Sequence, residues 1–177
     1  MKIDLIQAYD CVNWKFLLMT LYKVGFPHKH VWWIKAYFSS AAMAVLINGE
    51  PTSFFKIYRG LRQHCWLSPL LFILVIEALS RGIKAKMEAG DITRYKLNRN
   101  CSLSHILFVD DILCASKEIP DEWPSFHLVL EKIGHASSLL IKKHKSKVFF
   151  GNVGLEHIRQ IIALFGVKMN PMSVWCM

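Results

Sequence analysis

The sequence predicts an α+β domain with an antiparallel sheet packed against helices. Three observations carry this reading. Helical and strand-like segments are mixed along the chain, they show no regular βαβ rhythm, and tight-turn residues between apolar runs mark hairpins. The 177 residues set one domain, or a piece of a larger one, as the expectation. A hydrophobic content of 53% and a mean hydropathy of +0.28 supply an ample core and exclude general disorder.

Met1 to Leu5 reads as a short strand. After a bend, Asn13 is placed to cap a helix in which Trp14, Leu17, Leu18, Leu21 and Val24 recur with helical period, stopped by Gly25. Pro27 suits the first turn of a second helix, HKHVWWIKAYF. AVLI, the turn Asn48-Gly49-Glu50-Pro51 and SFFKIY form a hairpin signal. Ser68 as N-cap and Pro69 as first helical residue start the most apolar helix, which ends near Gly90. Its first half is apolar on nearly every face and should be buried; its second half, with Arg81, Lys84 and Lys86, should emerge into solvent. In SHILFVDDILCAS, two apolar arms flank Asp110 and Asp111, so a hairpin turning at the two acids is expected, since Asp tolerates the left-handed conformation. Asp121 to Ala136 reads as a helix, KKHKSKVFF as a basic strand, and Glu156 to Phe165 as a last helix.

Lys plus Arg number 22 against 13 Asp plus Glu, a net charge of +9. Such a balance favours polyanionic partners, nucleic acid first, although a merely basic protein satisfies it as well. No apolar run reaches the ~18 residues a bilayer span needs, so no membrane partner is expected, and the N-terminus shows no signal-peptide pattern. Five widely spaced cysteines without Cys-x-x-Cys argue against a disulfide framework or structural zinc. His28-x-His30 lacks an acid or Cys at ligand spacing and reads as surface or capping histidine.

The adjacent acids Asp110 and Asp111 are the sharpest anomaly, because carboxylates rarely enter apolar strands unpaired. Two carboxylates about 4 Å apart repel by about 4 kcal/mol at an effective dielectric near 20. A hard cation such as Mg²⁺ removes that cost; a solvated turn avoids it. Strand alternation puts Asp110 with Ile106 and Phe108 on one face and Asp111 on the other. A third acid, Asp4, ends the N-terminal strand. If the two strands are neighbours, Asp4 and Asp110 can clamp metals between them, as two-metal sites do in phosphoryl transfer.

Three ordered motifs then give a resemblance. Asp-x-x-x-Ala-Tyr-Asp at 4–10, Arg-Gln-x-x-x-Leu-Ser-Pro-Leu-Leu-Phe at 62–72 and Phe-x-Asp-Asp at 108–111 resemble reverse transcriptases of the non-LTR (LINE-type) retrotransposons, plant elements most of all. Asn13-Trp14, Gly25-Phe26, Asn48-Gly49, Arg59-Gly60-Leu61 and Ser104-His105 agree, and the likeness runs from Met1 to about Phe165. It implies a polymerase palm-like antiparallel sheet, with Asp4 and Asp110 as principal ligands of two Mg²⁺ ions and Asp111 as ligand or supporting acid. It further implies Tyr9 beneath the nucleotide sugar, Gln63 lining the nucleotide pocket with Arg62 beside it, and Lys145 as proton donor to the pyrophosphate leaving group. Read without the resemblance, Tyr9 is a core tyrosine, Arg62 a surface charge, and Lys142, Lys143 and Lys147 a solvated, phosphate-contacting face. The implied partners are an RNA template, a DNA primer and deoxynucleotides.

The chain also departs from the family pattern. His64 replaces a Gly, Trp66 a Pro, Gln7 a Lys, Val109 an Ala, Ser138 a Gly and Lys142 an Asn. On the same reading, residues 1–166 are a partial reverse transcriptase domain, a palm with fingers absent, and 167–177 a C-terminal tail. A separate chain would then have to supply the fingers, and activity alone should be weak or absent. The competing reading is a catalytically dead retrotransposon remnant acting at most as a basic nucleic-acid-binding module. A two-metal nuclease needs a further acid cluster that the sequence lacks.

Overall fold

The computed structural model describes residues 1–63, 65–99, 101–116, 122–149 and 155–169. His64, Asp121, Cys176 and most of the expected tail lie outside them.

The main sheet gathers strands from both ends of the chain. Its order is β11 (Lys168–Met169), β10 (Lys147–Val148), β1 (Lys2–Asp4), β9 (Asp111–Cys114) and β8 (His105–Phe108). All pairs are antiparallel except β10 with β11. The α+β class and the antiparallel sheet are therefore present, and the sheet extends past Gly166 through β11. One face of it is apolar: Ile3, Ile112, Cys114 and Val148 are all buried in a single core with Phe72, Val75 and Phe126. The alternate residues Lys2, Asp4, Ile106, Phe108, Asp111 and Lys147 belong to the opposite face, as strand alternation requires.

The helices form where their caps direct. In α2 (Trp14–Val24), the Asn13 side chain accepts from the N–H groups of Lys15 and Phe16, and Gly25 closes the helix at φ 99°. α3 (His28–Ser39) follows Pro27. β3 (Leu46–Ile47) and β4 (Glu50–Pro51) pair around Asn48-Gly49, both with positive φ, the pattern of a primed hairpin turn. β2 (Ala42–Met43) pairs with β5 (Phe55–Lys56) outside them. The central helix is α4 (Leu67–Glu88), which packs on α2, on β8 and on α5 (Glu122–Ser137). A short α1 (Ala8–Cys11), a last helix α6 (Leu155–Phe165) and the small pair β6 (Tyr95–Lys96) and β7 (Ser102–Leu103) complete the described elements.

Four expectations need correction. α4 begins two residues earlier than expected, so Ser68 lies inside it and Trp66 is the N-cap, without a side-chain capping bond. The first half of α4 is not buried all round: Trp66 is 97% exposed, and Leu70 and Ile73 are each 61% exposed. Its neighbours cover one side, and no described element covers that face. KKHKSKVFF is a strand only at Lys147–Val148; residues 143–145 form a turn. The acidic hairpin turns at Val109–Asp110, with Phe108 paired to Asp111, and not at the two acids.

Gly60 shows how the site loop is fixed. Its N–H donates to Val12 O at 2.8 Å, and its carbonyl accepts from Trp14 Nε1 at 2.7 Å. At φ 88°, a Cβ here would stand 2.6 Å from Asp10 O. Gly49 has the same φ of 88° with open space around it. Gly49→Ala should therefore cost about 1 kcal/mol, the left-handed penalty alone, and Gly60→Ala distinctly more; equal shifts in urea midpoint would refute the close approach. Ser138 sits just past α5 at φ 63°, where Gly is the usual residue. Ser138→Gly should stabilise by up to about 1 kcal/mol in the same denaturation measurement.

Candidate active site

Backbone pairing builds the acidic centre. The β1–β9 register sets Lys2 opposite Leu113, Ile3 opposite Ile112 and Asp4 opposite Asp111. Directly opposed residues on one face bring Cβ atoms to ~4.5–5.5 Å, so the carboxylates of Asp4 and Asp111 rise from adjacent strands on the open face. Asp110 occupies the turn just before β9. Val109, the other turn residue, takes φ 52°, unusual for a β-branched side chain and a position that favours Gly.

Lys2 completes this cluster. Its Nζ lies 2.8 Å from Asp111 Oδ2. The hydrogen bond to Asp111 raises its pKa above the ordinary value, and the charges of Asp111, Asp4 and Asp110 act in the same direction. All three sequence-predicted acids thus act on one ammonium group. Sequence reasoning had not singled out Lys2, although its spacing of two from Asp4 on a strand was the available signal.

The other side of Asp4 is held by the segment that carries Lys145. Lys142 N donates to Asp4 O at 2.8 Å, and Asp4 N donates to Ser146 Oγ at 3.2 Å. Ser146, 1% exposed, in turn donates to Lys142 O at 3.0 Å. A bridge between Leu5 and Ile141 continues this attachment. Lys145 lies in the intervening turn with its side chain exposed, flanking Asp4 without a contact to it among the described residues.

The predicted nucleotide-side residues form a second group. Tyr9, in α1, is half-buried and stacks on Phe72 with ring centroids 4.6 Å apart and an 18° interplanar angle. Its carbonyl accepts from Leu61 N at 2.7 Å, which docks the 60–63 loop on α1. Gln63 Nε2 donates to both carboxylate oxygens of Asp10, at 3.2 and 3.3 Å. Arg62 turns away, its guanidinium 5.9 Å from the centre of the Tyr37 ring. Asp10, Arg59, Arg62 and Gln63 line a cavity of ≈ 720 Å³ whose remaining wall is largely apolar. The structure thus brings Tyr9 and Gln63 to one loop–helix junction and leaves Arg62 at its rim.

Among the described residues, no group of three His, Cys, Asp or Glu side chains stands in a metal-holding arrangement. Two opposed carboxylates nevertheless suit Mg²⁺, which binds through one or two carboxylates and keeps other positions for water and substrate phosphates. The donor set fits an open, substrate-completed cation site and not a closed cage. No described helix is long and apolar enough to cross a membrane.

The family described as "Reverse transcriptase (RNA-dependent DNA polymerase)" matches residues 1–171. An uncharacterized mitochondrial protein of Arabidopsis thaliana is 39% identical over 87 residues, covering 47% of this chain and 70% of that protein. The Transposon TX1 uncharacterized 149 kDa protein of Xenopus laevis is 35% identical over 77 residues, covering 44% of this chain and 6% of its own length. With the family match running through nearly the whole chain and across every acid of the cluster, the chain belongs to the reverse transcriptase (RNA-dependent DNA polymerase) family.

Proposed function

We propose that residues 1–166 form the palm-type core of an RNA-directed DNA polymerase of the non-LTR retrotransposon kind, acting in metal-dependent nucleotidyl transfer. The observation that carries this is the β1–β9 register, which opposes Asp4 and Asp111 beside the Asp110 turn. Asp4 and Asp111 would hold the cations on the open face, with Asp110 as the third acid. Bound Mg²⁺ would neutralise the triphosphate and lower the pKa of the primer 3′-hydroxyl. The chain's own residues do the rest: Tyr9 limits space beneath the sugar, Gln63 and Arg62 meet the nucleotide, and Lys145 offers a proton to the departing pyrophosphate. Template RNA, primer DNA and deoxynucleotides are the proposed partners, and elements outside this chain are proposed to complete their positioning.

A second reading, a nucleic-acid-binding module without catalysis, is favoured by two observations. Lys2 already neutralises Asp111, and the chain carries a net charge of +9. The two readings part in the following experiments.

With Mg²⁺ and a primed RNA template, the wild type should give weak extension, and Asp4→Asn, Asp110→Ala and Asp111→Asn should each lower it at least about a hundredfold, the scale of losing a transition-state stabiliser. Equal extension by wild type and Asp110→Ala eliminates the metal role. Because the Lys2 ammonium competes for Asp111, Lys2→Met should tighten Mn²⁺ binding several-fold, read by electron paramagnetic resonance; weaker binding would show that Lys2 does not compete. For the binding module, RNA affinity should fall linearly on a logarithmic salt axis, by about 0.7 decades per neutralised phosphate on single strands, while Asp4→Asn leaves it unchanged. Salt-insensitive binding rejects that reading.

A further inference from the structure

We propose that Cys65 is a site of reversible thiol modification by small anionic disulfides, built from Tyr37, Arg62 and the N-terminus of α4, two residues past Gln63 of the cavity wall.

The sulfur stands within a set of donors. Tyr37 Oη lies 3.0 Å from Cys65 Sγ. Either atom can donate while Cys65 is a thiol; once it is a thiolate, only Tyr37 can. α4 is 22 residues long, and its N-cap makes no side-chain capping bond. The N–H groups of Leu67 and Ser68 act on the same sulfur, the Ser68 N–H while also donating to Cys65 O at 3.1 Å. The Ser68 side chain also acts on it, yet Ser68 Oγ, in a residue only 2% exposed, completes no hydrogen bond among the described residues. A buried donor therefore stands beside the sulfur with its own bonding unmet, an arrangement that suits a negative charge at this point. Arg62, over the Tyr37 ring, has no carboxylate partner among the described residues and adds a positive charge for an incoming anion.

The titration of the thiol agrees with the geometry. The Tyr37 hydrogen bond, the largest cause, lowers Cys65 from 9.0 to about 7; partial burial opposes it and the α4 N–H groups reinforce it. Tyr37 moves upward, chiefly through the same hydrogen bond, and so keeps its proton. Tyr37 is the titratable side chain that acts on the sulfur, and Arg62 acts in turn on Tyr37, with His64 outside the described residues. An attacking thiol whose pKa lies near ambient pH combines a large thiolate fraction with good nucleophilicity. The molecule carries its own controls. Cys114 is 1% exposed and pushed by burial to about 12. Cys101 is exposed and Cys11 partly so, and neither sulfur has a hydrogen bond among the described residues.

In the reaction, the Cys65 proton passes to solvent and the thiolate attacks one sulfur of the disulfide. A new Sγ–S bond forms, the reagent's S–S bond breaks, and the departing thiolate carries away the electron pair. Cys65 is oxidised to a mixed disulfide and the other half of the reagent is reduced. Resting on the polymerase reading, the adduct also blocks nucleotide entry beside Arg62 and Gln63.

The test treats the intact chain, in excess, with the dianionic disulfide 5,5′-dithiobis(2-nitrobenzoate), followed by release of the coloured thiolate and by peptide mass mapping. Cys65 should take the first equivalent, with a rate that titrates around neutral pH. Tyr37→Phe should slow the reaction at pH 7 and move its midpoint upward. Arg62→Gln should slow the dianionic reagent while sparing neutral iodoacetamide. First labelling at any other cysteine, or a midpoint unmoved by Tyr37→Phe, overturns the proposal. These readouts need no polymerase activity, so the thiol site stands or falls separately from the function. Primer extension that persists after complete Cys65 modification overturns the blocking role alone.

Discussion

The pairing of β1 with β9 is the constraint from which the site follows. Its register is set from below, where Ile3 at 0% and Ile112 at 1% exposure meet across the two strands. Burying each such side chain contributes about 1.5–3 kcal/mol. A slip of β1 by one residue would turn Ile3 to solvent and drive Lys2 and Asp4 into the core, where an unpaired charge is far more costly. The apolar face therefore fixes where the acids stand on the other face. The opposition of Asp4 and Asp111 requires no attraction between them; the core enforces it against their repulsion, and Lys2 relieves part of that repulsion.

The chain bends sharply around this pairing, and the bends coincide with departures from the family pattern. Gln7, Val109 and Ser138 have φ of 40°, 52° and 63°. They lie at the entry to α1, in the acidic turn, and between α5 and the segment bonded to β1. By the resemblance drawn from the sequence, each stands where the family would have a different residue: Lys, Ala and Gly, respectively. At Ser138 the physical reason for Gly is direct, since a residue with Cβ pays the left-handed penalty at the helix end. At Val109 a β-branched side chain takes a conformation that Ala enters with less crowding. The strain lies within the connections that deliver Asp4, Asp110 and the Lys145 turn to one place, so it is borne by the same packing that fixes the β1–β9 register.

Much of this was legible in the sequence, and the failures share a cause. Asn13, Gly25 and Asn48-Gly49 act locally, through side-chain capping and backbone φ, so their residue types alone announced the elements they bound. Ser68-Pro69 misled by two residues because Ser68 is drawn into the core, where its hydroxyl cannot cap. The acidic turn also shifted by one. Pairing Phe108 with Asp111 satisfies the β8–β9 ladder, and no propensity rule reads ladder register from a single hairpin. That shift changes which acid faces Asp4: strand alternation counted through an assumed turn favoured Asp110, while the actual pairing opposes Asp111. KKHKSKVFF failed as a strand because Ser146 and Lys142 fold into a turn that bonds the Asp4 backbone, a long-range requirement invisible in a local window.

The chain is strongly basic, yet its open sheet face gathers three acids around one lysine, a local excess of negative charge at a single point. A polyanion drawn to the rest of the surface meets repulsion there. On the polymerase reading this is the purpose of the arrangement: phosphate approaches the acids only when divalent cations stand between them, so substrate and metal complete each other's binding. The exposed setting strengthens the point. Acids on an open face hold cations weakly without a phosphate, since water and salt screen them, and a site that is weak alone and strong with substrate confines tight cation binding to the substrate-bound state.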